Sequence, residues 1–387
     1  MADKVTAAPV VDLNAAAPAP SPGAPKKPVP KIHRFLEAVA RVEGTDVHLK
    51  ADVAPRIRKK GELIPTNSGP LSNDEIEAMV QEIVKPAQWE EFQRNGQIDL
   101  AYPLTVRERF RINIFRQRGQ ISLAARRINP KIPTYSQLHL PPIMEQIAEN
   151  EQGLILLAGI TGSGKSTTIA AMLEQVNERR SCHVVTIENP IEYTYVDRKA
   201  LINQREIGLD CDSYDNALRA LMREDPDVVL IGEMRDRETF QAGIIATETG
   251  HLVFSTIHAG SAPGAITRIL ELFPTEMHAN MRQAIATNMK AIIFQKLVPS
   301  IQKGVDLVPV VEVMLSTPAV RKYILDGREN ELRQVILAER GAGMIDFNEM
   351  LVELVEKEMV HPREAYAASP NAEELRMRMR GIRTAGM

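Results

Sequence analysis

The residues Gly159-Ile160-Thr161-Gly162-Ser163-Gly164-Lys165-Ser166 fit the pattern G-x-x-x-x-G-K-[ST] at every fixed position. They follow an apolar run, Leu154 to Ala158, and open a helical pattern with apolar positions at Ile169, Met172, Leu173 and Val176. Strand, glycine loop and helix in that order are what a phosphate-cradling loop needs. Glycines let consecutive backbone N–H groups turn toward phosphate oxygens. The helix that begins near Lys165 points the positive end of its dipole at the same place. Lys165 is expected to reach the β- and γ-phosphates of ATP, and the Ser166 hydroxyl to ligate Mg²⁺. Thr167, the next residue, falls in the same nucleotide-binding segment.

A chain of 387 residues should form about two domains plus tails. Its net charge of -3 gives no global basic signal for nucleic acid. Cys182 and Cys211 make no C-x-x-C pair, so neither a disulfide framework nor a cysteine zinc site is expected, and a reducing cytoplasm suits them. No apolar run approaches the roughly 18 residues needed to span a bilayer. Val10 and Val11 run straight into Asp12, so no signal-peptide core is expected, and any membrane association should go through a partner.

Seven of the 25 prolines fall before Lys31, in an Ala/Pro-rich stretch that predicts a disordered tail over residues 1–30. Residues 31–129 read as a small α+β domain. Phe35, Leu36, Val39 and Val42 mark one face of its opening helix. Ser72-Asn73-Asp74-Glu75 is a capping box ahead of the stripe Ile76, Met79, Val80 and Ile83. Strands are expected at 45–49, 56–60, 98–104, 109–115 and 120–128. Pro130, Pro133, Pro141 and Pro142 predict a linker over 130–150. Short continuous apolar runs at 154–158, 184–187, 228–231 and 252–255 read as strands buried on both faces of a mainly parallel sheet. Residues 151–317 are thus expected to form an α/β P-loop domain with its ligand at the carboxyl ends of the strands. A C-terminal helical region is expected over 318–387.

Hydrolysis needs more than a phosphate loop, because a water must be held in line and γ-phosphate charge neutralised. Asp227 to Glu233 supplies a buried strand ending in a carboxylate; the place where many P-loop NTPases carry Asp is Gly232, and the acid is Glu233. Thr186-Ile187-Glu188-Asn189-Pro190-Ile191-Glu192 places a second acid pair at a strand end. Either Glu188 or Glu233 is expected to polarise water or hold the metal through a water; a solvated loop carboxylate is the plain alternative for each. His258, at the carboxyl end of its strand, is a candidate γ-phosphate sensor, while His251 lies at the opposite end. Arg107, Arg109, Arg111, Arg116, Arg118, Arg126 and Arg127 crowd the late strands of the first domain. Alternation puts Arg109 and Arg111 on one side of their strand. A guanidinium presented across an interface to a triphosphate would act as an arginine finger, worth about 10³–10⁵ in rate.

Taken together, these motifs resemble the secretion-type ATPase superfamily, and most closely the type IV pilus retraction ATPases of the PilT and PilU group. The resemblance runs from about Lys31 to the C-terminus. Gly159–Ser166 looks like the family's Walker A loop, Thr186–Glu192 its acidic box, Asp227–Asp236 its Walker B segment, and Gly250–His258 its His box. Thr45-Asp46-Val47-His48-Leu49 is similar to a signature of its N-terminal domain. The resemblance implies a RecA-like ATPase domain behind a PAS-like one, in a homohexamer with ATP between subunits. It implies that Glu233 is the catalytic carboxylate, that Glu188 assists metal and water, and that Arg111 and Arg126 reach the nucleotide. It further implies an inner-membrane platform protein and a paralogous retraction ATPase as partners, no nucleic acid, and a cytoplasmic place at the inner membrane. Asn189 stands where the family usually has Asp, and Ala319-Val320-Arg321-Lys322-Tyr323 replaces a segment that begins Ala-Ile-Arg.

Three other readings compete. A pilus extension or type II secretion motor usually carries a four-cysteine zinc module, which two cysteines cannot supply. A nucleotide-binding accessory ring subunit with weak hydrolysis draws on Asn189. A nucleic-acid translocase is disfavoured by the net charge.

Overall fold

Strict alternation of apolar residues builds the first layer. Phe110, Ile112 and Ile114 point one way from their strand, Ile121, Leu123 and Ala125 from the next, and all six are buried. A computed structural model describes residues 29–59, 61–105, 108–128 and 131–380. The expected tail up to residue 28, and Arg107, lie outside the described residues.

The N-terminal unit comprises α1 (His33–Arg41), β1 (Asp46–Lys50), β2 (Arg56–Lys59), β3 (Glu62–Pro65), α2 (Asn73–Gln81), α3 (Pro86–Asn95), β4 (Gln97–Pro103), β5 (Arg109–Gln117) and β6 (Gln120–Ile128). Its antiparallel sheet has the order β3-β2-β1-β6-β5-β4. Phe35, Leu36 and Val39 of α1 and Ile76, Met79 and Val80 of α2 pack on that sheet in one core. The capping box forms as the sequence predicts: Glu75 N–H donates to Ser72 Oγ, and Ser72 N–H to Glu75 Oε2. Two elements escape the sequence reading. All four residues of β3 are exposed, so no alternation marks it. Helix α3 buries only Phe92 and is set by its ends, Pro86 in the first turn and Gly96 in the left-handed region.

The stretch expected as an irregular linker contains a helix, α4 (Ile143–Ala148). Pro141 and Pro142 do not block it, because they precede its first turn, where a missing N–H costs nothing. Met144, Ile147 and Ala148 are buried against the helix that follows the phosphate loop.

The second layer is a sheet of β7 (Gly153–Ala158), β8 (His183–Glu188), β9 (Leu201–Glu206), β10 (Val228–Ile231), β11 (Leu252–Ile257), β12 (Met289–Pro299) and β13 (Leu307–Leu315), in the order β13-β12-β7-β11-β10-β8-β9. All neighbours are parallel except β12 and β13. Every residue of β7, β10 and β11 is buried, as two-sided burial requires. The sequence reading locates β7, β8, β10 and β11 and passes over β9, β12 and β13, whose polar residues interrupt the apolar runs. Helices α5 (Lys165–Arg179), α6 (Tyr214–Leu221), α7 (Arg237–Glu248), α8 (Ala262–Leu270) and α9 (His278–Asn288) connect or cover these strands. The expected C-terminal helices are α10 (Pro318–Leu325), α11 (Leu332–Ala338), α12 (Phe347–Glu356), α13 (Pro362–Ala368) and α14 (Ala372–Met379). Among the described residues no helix is long and apolar enough to cross a membrane.

If α4 is structural, Met144→Ala should destabilise by about 2–5 kcal/mol, the cost of an unfilled core site. Thermal unfolding would register it; an unchanged midpoint would mean that α4 is a loose connector.

Candidate nucleotide-binding site

β7 ends at Ala158, and the chain turns through Gly159 to Gly164 before α5 begins at Lys165. The loop opens on a cleft of about 500 Å³ at the carboxyl ends of β7, β8, β10 and β11. Residues from Thr161 to Thr167 line it on one side, and Glu188, Asn189, Glu192, Glu233 and His258 on the other. The four motif segments, far apart in sequence, therefore meet at one place. Lys165 is buried, and its Nζ donates to the carbonyls of Gly159 (2.8 Å) and Ile160 (3.0 Å). Burial lowers its pKa, against the opposing pull of Glu233 and Glu192.

Thr167 and Ile160 take different parts from the rest of the loop. The Thr167 hydroxyl pairs with Tyr193 Oη at 2.8 Å, and Ile160 is 64% exposed. Ser163 is buried, with no partner for its Oγ.

Glu233 follows β10 and is gripped from two sides. Arg235 Nε donates to its Oε2 at 2.6 Å, and His258 Nε2 lies 3.1 Å from its Oε1. His258 Nδ1 lies 3.1 Å from the Gly159 carbonyl. Both ring nitrogens thus face oxygen atoms. His258 bridges the acid to the first residue of the phosphate loop. Gly232 stands where many P-loop proteins carry the acid. A Cβ there would stand 3.0 Å from Tyr214 Oη and 3.3 Å from the Ile187 carbonyl, so a larger residue would need Tyr214 to give by a few tenths of an ångström.

Glu188, at the end of the neighbouring β8, is in the opposite environment. It is 8% exposed, its Oε1 accepts from Thr186 Oγ1 (2.7 Å) and Gln204 Nε2 (3.3 Å), and burial pushes its pKa up to about 7. His251 stays away from the cleft and pairs through Nδ1 with the Ala246 carbonyl at 2.8 Å.

The arginines divide. Arg109 Nη2 lies 3.6 Å from Glu206 Oε2, linking the first sheet to the end of β9. Arg111 and Arg126 face each other across β5 and β6, and neither lines the cleft of its own chain. Arg126 Nε donates to Asp46 Oδ1 at 2.8 Å while its side chain is 74% exposed. The Asp of the Thr45–Leu49 segment therefore holds one of the two finger candidates. Sequence reading missed Arg235, Gln204, Tyr193 and Tyr214. Arg235 alone left a signal, standing two places after the acid.

The residues present fit magnesium. Ser166 offers a hydroxyl at the start of α5, and Glu188, Glu192 and Glu233 share its cleft. Among the described residues no group of three or more acidic, His or Cys side chains forms a cage. Magnesium needs none, since it binds through one or two protein oxygens, phosphates and waters.

Fold and cleft define a P-loop nucleotide-binding protein with a RecA-like parallel sheet. Residues 125–364 match the family described as Type II/IV secretion system protein. The chain is 34% identical to the type IV pilus ATPase PilU of Pseudomonas aeruginosa, over 90% of this chain and 91% of that one. It is 35% identical to the type IV pilus retraction ATPase PilT of the same organism, over 85% and 95%. The crystal structure of the pilus retraction motor PilT with bound ADP superposes with a TM-score of 0.82 at 36% identity, covering 89% of this chain and 99% of that one. The chain belongs to the type II/IV secretion ATPase family, among its PilT/PilU-type members.

The buried carboxyl makes a pH prediction. An unfolded chain releases the Glu188 proton near the ordinary 4.5, while the folded chain holds it to about 7. The folded state binds more protons between those values, so stability falls as pH rises through that window, by on the order of 3 kcal/mol for Glu188. Glu312 on β13 is also pushed up to about 7 by burial and adds to the same fall. Glu188→Gln should make the decline of melting temperature between pH 5 and pH 7 shallower without abolishing it. An unaltered slope would show that Glu188 ionises freely.

Proposed function

We propose that this chain is the ATP-hydrolysing subunit of a homohexameric ring that powers retraction of type IV pili. The observation that carries the reading is the cleft itself: Glu233, held between Arg235 and His258, faces a phosphate loop in a chain similar to retraction ATPases along most of its length. ATP would lie with its phosphates against the loop N–H groups and the start of α5. Lys165 would exchange its carbonyl partners for the β- and γ-phosphates. Ser166 would hold Mg²⁺, which supplies charge neutralisation on the phosphates. Glu233 would take the proton of the attacking water, with Arg235 and His258 fixing its orientation. Glu188 would orient that water or a metal-bound one, and the nucleotide segment would run from Gly159 to Thr167.

Neither Arg111 nor Arg126 lines the cleft of its own chain, so in this reading they serve a neighbour. Turnover would then shift the two layers against each other and act on an inner-membrane platform protein from the cytoplasmic side. Copies of this chain, and a paralogous retraction ATPase, would be the other partners, with no nucleic acid involved.

Glu233→Gln should retain binding of an ATP analogue while turnover falls by about 10²-fold or more. Turnover at the wild-type rate would remove Glu233 from the chemistry. Specific ATPase activity should climb steeply with protein concentration as shared sites assemble. A flat profile down to the monomer would refute the shared site.

A further inference from the structure

A phosphate loop can aim its N–H groups inward only if something holds its carbonyls outward. In this chain the position for such a holder is occupied by a residue outside all four motif segments. Strand β12 runs parallel beside β7 with Phe294 opposite Ala158, the last residue before the loop. The next residue along, Gln295, therefore stands beside the loop itself. It is 2% exposed. Its Nε2 donates to the Ser163 carbonyl at 2.7 Å, and its Oε1 accepts from Thr168 Oγ1, in the first turn of α5, at 2.8 Å. One amide thus ties the loop to the helix that follows it.

Gln295 also accounts for the identity of two loop residues. Gly159 has φ 148° and Gly164 φ 85°, conformations that favour glycine. A Cβ on Gly159 would stand 2.5 Å from the Gln295 carbonyl, and one on Gly164 would stand 2.7 Å from Gln295 Nε2. The loop is moulded around this side chain and its backbone. The neighbouring Lys296 donates from Nζ to the Ala368 carbonyl of α13 at 3.2 Å, so the same strand is fixed to the C-terminal helices.

We propose that Gln295 is a positioning residue for nucleotide binding: its amide sets the Ser163 carbonyl and α5 so that the loop N–H groups converge on the phosphates. This rests on reading the cleft as a nucleotide site. It requires the full amide, because a donor must meet Ser163 and an acceptor must meet Thr168. A carboxylate supplies only the acceptor and sets a negative oxygen against the Ser163 carbonyl. A protonated carboxyl supplies both functions, and burial favours that form.

The test is binding of a fluorescent ADP, with the melting midpoint of the nucleotide-free protein, at about pH 6 and pH 8. Gln295→Glu should weaken ADP about tenfold or more at the higher pH, the loss expected for a buried acceptor left without its donor. It should recover most of that loss at the lower pH, as the introduced carboxyl regains a proton. Gln295→Leu should weaken ADP to a similar extent at both. Should these variants fail to fold, Thr168→Val leaves the Ser163 bond in place and should loosen ADP by about fivefold. Wild-type affinity in Gln295→Glu at pH 8, a pH-independent loss that only follows the melting midpoint, or wild-type affinity in Thr168→Val would overturn the assignment. A wild-type protein that binds no ADP would instead overturn the nucleotide reading.

Discussion

The constraint on which this molecule turns is the outward carbonyl of the phosphate loop. N–H groups that converge on an anion leave their carbonyls facing protein, where each needs a donor. Lys165 takes the Gly159 and Ile160 carbonyls, His258 faces Gly159 from the end of β11, and Gln295 takes Ser163 from β12. Two of these donors come from the strands on either side of β7. The order β12-β7-β11 thus sets a partner for the loop carbonyls on each side of β7. Without β12 beside β7 the Ser163 carbonyl would lose its Gln295 donor, at about 1–3 kcal/mol if left buried and unpaired, whereas the Gly159 carbonyl would keep Lys165.

The two acids show how one sheet edge prepares carboxyl groups for different work. β8 and β10 are parallel neighbours and both end at the cleft. Glu188 is sealed beneath Thr186 and Gln204, and desolvation holds its proton toward neutrality. Glu233 lies nearer the opening and is met by a guanidinium and an imidazole. The two carboxyls share the cleft in unlike surroundings, one buried among hydrogen-bond donors and one ion-paired. Gly232, just before Glu233, lets Tyr214 Oη and the Ile187 carbonyl approach β10 closely.

The sequence showed what local rules can encode. Two-sided burial made β7, β8, β10 and β11 legible, and the capping box at Ser72 announced α2 in full. The phosphate loop and its acids were legible because their spacing is rigid. Three kinds of feature were not. β3 is exposed on both faces and carries no periodicity. α4 sits among prolines that read as breakers until their place before its first turn is known. Gln295 lies 136 residues after Gly159 in sequence, taking 295 minus 159, and only the parallel register of β12 on β7 brings it to the loop. The functional part of β12 is the polar interruption that hides it as a strand.

The arginines of β5 and β6 show how the first layer communicates with the second. Arg126 is committed to Asp46 inside its own sheet, whereas Arg109 reaches out of it to Glu206. Glu206 is buried, and its Oε2 also accepts from the Ile191 N–H, next to Glu192 of the acidic segment. Burial raises the Glu206 pKa, and the Ile191 hydrogen bond and the Arg109 charge oppose that rise. At 3.6 Å the pair is longer than a charge-assisted hydrogen bond. If Arg109 withdraws, Glu206 loses a neutralising charge while still bonded to the segment that carries Glu188 and Glu192. Arg109, Glu206 and Ile191 thus form a chain of contacts from the N-terminal sheet to the acidic wall of the cleft.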